Sequence, residues 1–440
     1  MRKRAWLYSL FAAVLVISTA GPGWAADVKP GDVITKDNMA TYAELISPTV
    51  RFLLEQGLKI QVADPVYKKI EWPKAYKEAT EKYSGQVKIS ANGGEIYNYV
   101  AGMPFPNVDV NDPLAGFKAM WNMEHKPIYI DNIGTEWVAE LVNNKGAVER
   151  TFGSSFWRRM MWTGRMFTDP KPVIPHNPAI RFTEQWGPLF IPSDLKGAGV
   201  LNFRYQSPDV PDDTYMYLPE LRRVRRISVA NRSDAFWGSD FDIDITWMWN
   251  AKLNYWTFRV LGVKDFLVLV RSGKYGDRSI WCAPRDGQHG FAAVLPCGVP
   301  WEKRKFWVIE GIPTGYSQYG YSKRVVYLDA DNFGPVWNES YDSGGELWRS
   351  IVPYFNWGKK PYEGYPANPV QGGKYNYTDD WPFLPNGMAI DLQVVHATTW
   401  DAPSSYSKPS EWQNEWYFNE DIPINTPAAF TINYLIQSAR

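Results

Sequence analysis

Between Gly134 and Thr398 the sequence falls into short apolar runs of period two, most of them separated by brief polar gaps. Successive side chains of a strand point to opposite faces, so this period predicts β-strands. Short gaps in sequential order predict antiparallel neighbours, because a parallel pair needs a connection of about a dozen residues or more. The predicted strands are Gly134–Val142, Ala147–Gly153, Phe156–Trp162, Gly199–Tyr205, Thr214–Leu218, Arg223–Ala230, Ile243–Trp249, Tyr255–Val260 and Phe266–Arg271. Lys305–Glu310, Lys323–Asp329, Pro335–Asp342, Glu346–Pro353 and Met388–Thr398 follow, with Pro361–Pro385 as an irregular loop. The first part of the chain differs. Asn38–Ile46, Val50–Gln56 and Pro73–Tyr83 carry apolar residues every three or four positions, and Asp112-Pro113 has the form of an N-cap and first helical residue. The expected class is mainly β (β-rich α+β), in one domain: a helix-rich part at 26–125, an antiparallel sheet at 126–400 and a tail at 401–440.

Two strands show what their faces carry. Leu201, Phe203 and Tyr205 alternate with Asn202 and Arg204; Trp256, Phe258 and Val260 alternate with Tyr255, Thr257 and Arg259. With 22 Trp, 26 Tyr and 21 Phe, the chain holds more flat apolar surface than one face of a sheet needs. Those rings form a core, line a cavity for an apolar ligand, or stack on sugar rings at the surface. Phe203, Tyr205, Trp247, Trp249, Trp256 and Phe258 are the candidate cavity residues. The glycan alternative makes the protein an envelope glycan-binding protein or hydrolase.

The densest charge lies in 214–244. Arg222, Arg223, Arg225 and Arg226 precede Asp240, Asp242 and Asp244, which would share one face of a strand. Arg222 and Arg226 fall on one side and Arg223 and Arg225 on the other, so one pair is expected to meet the aspartates in an ion-pair lattice. The second is expected to serve docking of an anion or partner.

Tyr217-Leu218-Pro219 through Arg222-Arg223-Val224-Arg225-Arg226, followed by Gly238-Ser239-Asp240-Phe241, resembles the signature of bacterial outer-membrane lipoprotein-sorting-like proteins. Tyr99-Val100-Ala101-Gly102-Met103-Pro104-Phe105-Pro106, with Asp112-Pro113-Leu114-Ala115-Gly116, resembles the domain-of-unknown-function family 1329. The resemblance implies a Lol-like, strongly curved, incomplete antiparallel barrel with N-terminal and lid helices. It further implies a periplasmic carrier or chaperone, not an enzyme, for a lipid, acyl chain or lipoprotein. The implied partner is an outer-membrane protein or RND-type permease of an export pathway.

Residues Met1–Ala25 have the form of a secretory signal: Arg2-Lys3-Arg4, an apolar segment Leu10–Thr19 and Gly23-Trp24-Ala25 before the cut. In an oxidising compartment Cys282 and Cys297 are expected to pair. Equal counts of 47 basic and 47 acidic residues give no electrostatic footprint for nucleic acid. No nucleotide-binding glycine motif or zinc-protease motif is present, and the four histidines lack ligand spacing, so no cofactor, metal or catalytic residue is assigned.

Overall fold

The structure is a computed structural model, and it describes residues 27–439 apart from 66–68, 70–71, 128–130, 176, 178, 228–231, 270–279, 315–318, 359–380, 402–415 and 419–424. The signal segment and most of the Pro361–Pro385 loop therefore lie outside the described residues.

One sheet dominates. Its main strands are β1 (Asn132–Val142), β2 (Val148–Met161), β3 (Ile180–Trp186), β4 (Gly199–Tyr205), β5 (Asp213–Leu218), β6 (Arg223–Arg226), β7 (Trp256–Leu269), β8 (Pro300–Pro313), β9 (Tyr321–Asp329), β10 (Pro335–Asp342), β11 (Leu347–Gly358), β12 (Trp381–Asp391) and β13 (His396–Asp401). Across the sheet they run β6-β5-β4-β3-β2-β1-β13-β12-β11-β10-β9-β8-β7, each pair antiparallel. Two meanders are thus joined where β13 pairs with β1. The two outer strands, β6 and β7, are consecutive in sequence but do not pair, so the barrel stays open between them.

The curvature is strong. Residues of β4 and β11 line the same cavity, although six strand spacings separate them, roughly 29 Å in a flat sheet. The face carrying that cavity is therefore concave. Long strands bend through bulges. Gly262, at φ 146°, marks a register shift in β7, and another lies between Thr135 and Trp137. The sequence reads as a break between Val260 and Phe266 and between Gly153 and Phe156, opposite the second bulge; β7 and β2 each run through as one continuous strand.

Helices cover both faces. On the convex side, α1 (Pro48–Glu55) packs Val50, Leu53 and Leu54 against Val352, Met388 and Ile390. Ser47 caps it by accepting the Val50 N–H at 3.2 Å, and buried Glu339 accepts the Thr49 N–H at 2.8 Å, where the helix dipole favours negative charge. After α2 (Lys74–Tyr83), the helix α3 (Ala115–Glu124) enters the concave side and is buried along almost its whole length. A side chain at Gly116 would stand 2.9 Å from the Phe258 carbonyl oxygen, so only glycine permits that approach to β7. At the other end of α3, Glu124 pairs with Arg181 of β3 and, at 3.0 Å, with Arg204 of β4. The helix therefore straps the open side of the barrel. A C-terminal helix, α4 (Ile432–Ser438), packs Leu435 with Leu201 and Tyr217 on the convex face.

Cys282 and Cys297 are joined, closing a 15-residue loop whose constraint on the unfolded chain amounts to about 3 kcal/mol. The expected result for Cys282→Ser with Cys297→Ser is a loss of that order, read as a lower denaturant midpoint with a steeper slope, because the unfolded chain without the bond is less compact.

Candidate functional site

The chain between the two sheet edges, residues 232–255, does not cross the gap as a loop outside. It turns inward and plugs the concave side. Ile243–Trp249, expected as a strand, is instead a turn followed by the short 3-10 segment Thr246–Met248. The cause is local: the Asp242 carboxylate accepts the N–H groups of Asp244 at 2.8 Å and Ile245 at 2.9 Å, which turns the backbone.

The three aspartates are buried and anchor the plug. Asp240 meets His396 Nδ1 at 2.8 Å and accepts from Thr398 Oγ1 at 2.7 Å, both on β13. Asp242 takes the Tyr321 hydroxyl and lies 3.4 Å from Arg349. Asp244 accepts from Arg232 Nε at 2.7 Å. Arg324, fully buried, donates to the carbonyls of Asp244 and Met248, each at 2.9 Å, and lies over the Trp249 ring at 4.1 Å. Arg232 and Arg204 also face Asp212, at 3.7 and 2.9 Å, beside Lys252 at 3.5 Å. Asp212 loses hydration on burial, yet Arg204, Arg232 and Lys252 hold it below the ordinary carboxylate range.

The expected lattice with Arg222, Arg223, Arg225 and Arg226 is therefore corrected. All four are exposed, and Arg226 pairs with Asp213 instead. They lie on or beside β6, one of the two outer strands. Charge on such a strand deters pairing with another chain, which is reason enough for arginine there.

Between the plug and the sheet lies a cavity of about 130 Å3. Trp157 packs on Trp247 at 4.6 Å and on Trp186 at 5.4 Å between ring centres; Trp137 meets Trp186 edge-on at 5.6 Å. Phe152 stacks on Trp237 and Phe241 abuts Trp400. Gly387 makes room for the Trp400 ring, which a side chain there would meet at 2.4 Å. The plug's indoles are held at a backbone cost: Trp237, Trp247 and Met248 have φ of 53°, 57° and 65°, a region that costs non-glycine residues about 1–3 kcal/mol each.

Glu184 is the ionisable residue of this wall. It accepts from Trp157 Nε1 at 2.5 Å. Burial pushes its carboxyl above the ordinary 4.5, against the pull of Arg159 and the indoles of Trp157 and Trp247. A carboxyl raised in the folded state destabilises once ionised, so Glu184→Gln is expected to melt higher at pH 7. That advantage shrinks as pH falls through the raised value toward 4.5; a series of melting curves against pH checks it.

Of the six residues expected to line a cavity, Trp247 does. Trp249, Trp256 and Phe258 pack instead in the core beside α3, with Trp249 4.8 Å from Trp256 and 5.3 Å from Phe258. Phe203 and Tyr205 sit on the convex face near α4, while Val200 and Asn202 line the cavity. Period two separates the faces but does not say which is concave. Trp137, Phe152, Trp157, Trp186, Trp237, Phe241 and Trp400 were not singled out, though the parity of Trp137 along its strand was available in the sequence.

Solved structures resemble the chain, among them the following three. A DUF1329 family protein from Desulfovibrio piger is 15% identical with a TM-score of 0.44, covering 72% of this chain and 95% of its own. A domain from Vibrio parahaemolyticus named for outer-membrane lipoprotein sorting is 19% identical with a TM-score of 0.43, covering 70% and 92%. A LolA superfamily protein from Nitrosomonas europaea is 10% identical with a TM-score of 0.38, covering 72% and 98%. Among curated proteins none matches. The family model described as "protein of unknown function (DUF1329)" matches residues 33–427, and the chain belongs to that family.

Proposed function

We propose that the protein is a non-enzymatic carrier or chaperone that takes an apolar ligand, a lipid or acyl chain, into the cavity between plug and sheet. The observation that carries this is the cavity itself: a space walled by tryptophans between the sheet and an internal segment with left-handed residues, anchored by buried ion pairs. An interior normally closes on its own side chains. A ligand entering it gains roughly 25 cal/mol for each Å2 of apolar surface withdrawn from water.

The Met1–Ala25 signal and the Cys282–Cys297 bond support a periplasmic location. Exchange of ligand with an outer-membrane protein or RND-type permease belongs to the same proposal, and the exposed arginines 222, 223, 225 and 226 are a docking surface consistent with it. The glycan alternative is less well supported, because the cavity tryptophans stack on one another rather than presenting free flat faces to solvent. The test is lipid mass spectrometry on protein purified from periplasm without detergent. One co-purifying amphiphile or apolar molecule per chain is expected; folded protein that carries none, and takes none up from membrane extract, contradicts the proposal.

A further inference from the structure

On the concave side the β2–β3 pair changes character over three rungs. Trp157 stands opposite Trp186, Arg159 opposite Glu184, and Met161 opposite Phe182. Residues two apart on a strand share a face at a spacing of about 6.6 Å, so Arg159 lies one rung from the tryptophan wall. Beyond it is a second void of about 10 Å3, bordered by Arg159, Arg181, Lys126, His125, Tyr99 and Thr163 among others.

Three cations border this small space, and their charge is incompletely matched. Glu124 is shared between Arg181 and Arg204, and Arg204 also holds Asp212. Arg181 is only 8% exposed, and neither its Nε nor that of Arg159 has a hydrogen-bond partner. Lys126 Nζ lies 3.4 Å from the Met123 sulfur, a weak acceptor. Burial pulls Lys126 down to about 7, with Glu124 opposing and the neighbouring arginines adding to the shift. A buried N–H without a partner and a crowded ammonium are both relieved by an arriving anion.

We propose that the aromatic cavity and this cationic pocket form one site for an anionic amphiphile, its tail against Trp157, Trp186 and Trp247 and a carboxylate head at Arg159, Arg181 and Lys126. The inference rests on the carrier proposal above and names the ligand class. The void admits about one water-sized group, room for one oxygen of a carboxylate rather than for a phosphate. Arginine suits it, since the guanidinium fork matches a carboxylate. Glu184, beside Arg159, is held toward its neutral form by burial and so opposes an anion little.

The experiment compares dodecanoate with dodecanol, which share a tail length, on delipidated full-length protein by calorimetry and tryptophan quenching. Dodecanoate is expected to bind about tenfold tighter or more, as a charge-assisted contact provides. Arg159→Gln should bring the two affinities together while dodecanol binding stays within about twofold. Lys126→Gln, at a half-buried position, should narrow the gap in the same direction and guards against a folding failure of the first variant. Equal binding of both ligands, unaltered in the variants, overturns the head site and leaves the carrier proposal standing. Binding of neither ligand by folded protein overturns both. Acetate that competes with dodecanoate at equal concentration marks a free-anion site and overturns the link between tail and head.

Discussion

Asp244→Asn should lower folding stability by about 3–5 kcal/mol, the usual cost of removing one partner from a buried ion pair. Asp244 is fully buried, as is most of Arg232, and its carboxylate is that guanidinium's near partner. The substitution leaves Arg232 with Asp212 at 3.7 Å as its remaining anion. Asp244 is one of several buried ionic anchors of the plug, so its loss should also loosen the cavity wall. By contrast, Arg222→Gln with Arg225→Gln is expected to change stability by less than about 1 kcal/mol, because exposed charges contribute little. Denaturant titration of both variants separates the two cases. The same lattice sets an acid limit. Glu124 and Asp212 are held below their ordinary values despite burial. The stability they contribute is present above about pH 4 and is lost as pH falls through their lowered folded values.

Trp249→Ala should cost toward the upper end of about 3–5 kcal/mol, whereas Trp247→Ala should cost clearly less. Trp249 is 1% exposed, enclosed by Trp256 and Phe258 and covered by the Arg324 guanidinium, so its removal leaves a void ringed by packed groups. Trp247 already borders open space. Its backbone is left-handed at φ 57°, so Trp247→Gly should be more stable than Trp247→Ala by roughly 1 kcal/mol. An order of Gly above Ala at 247, with Trp249→Ala least stable, checks the description of the plug. The reverse order at 247 means the turn is not left-handed there.

The strand succession was legible where apolar and polar residues alternate, as Leu201, Phe203 and Tyr205 do with Asn202 and Arg204. Gly199–Tyr205 and Pro335–Asp342 appear in the structure with the expected bounds. Legibility failed where a buried polar residue interrupts that alternation. Ile180–Trp186 is buried almost throughout, and Glu184 falls in the register of Ile180, Phe182 and Trp186, so its apolar alternation is broken by a buried carboxyl. The plug fails for the same reason in the opposite sense. Ile243, Ile245, Trp247 and Trp249 alternate as a strand would, but Asp242 turns the chain before a strand can form. Nearness in sequence misled the charge assignment. The aspartates are answered by Arg232, Arg349 and His396, two of which lie more than a hundred residues away. Those pairings follow from the order of strands around the barrel, which the sequence pattern does not encode.

If the cavity between plug and sheet holds an apolar ligand, filling that cavity with a side chain should block binding. Ala139, 6% exposed, lines the cavity on β1, and Ala139→Phe adds a ring where the tail is proposed to lie. A fluorescent fatty acid is titrated into delipidated wild type and into the variant, after matching circular dichroism spectra show that both are folded. Saturable one-site binding with quenching of tryptophan emission is expected in the wild type, and affinity reduced by about tenfold or more in Ala139→Phe. Absence of saturable binding to the wild type, or equal affinity in the two proteins, would contradict an apolar ligand in that cavity.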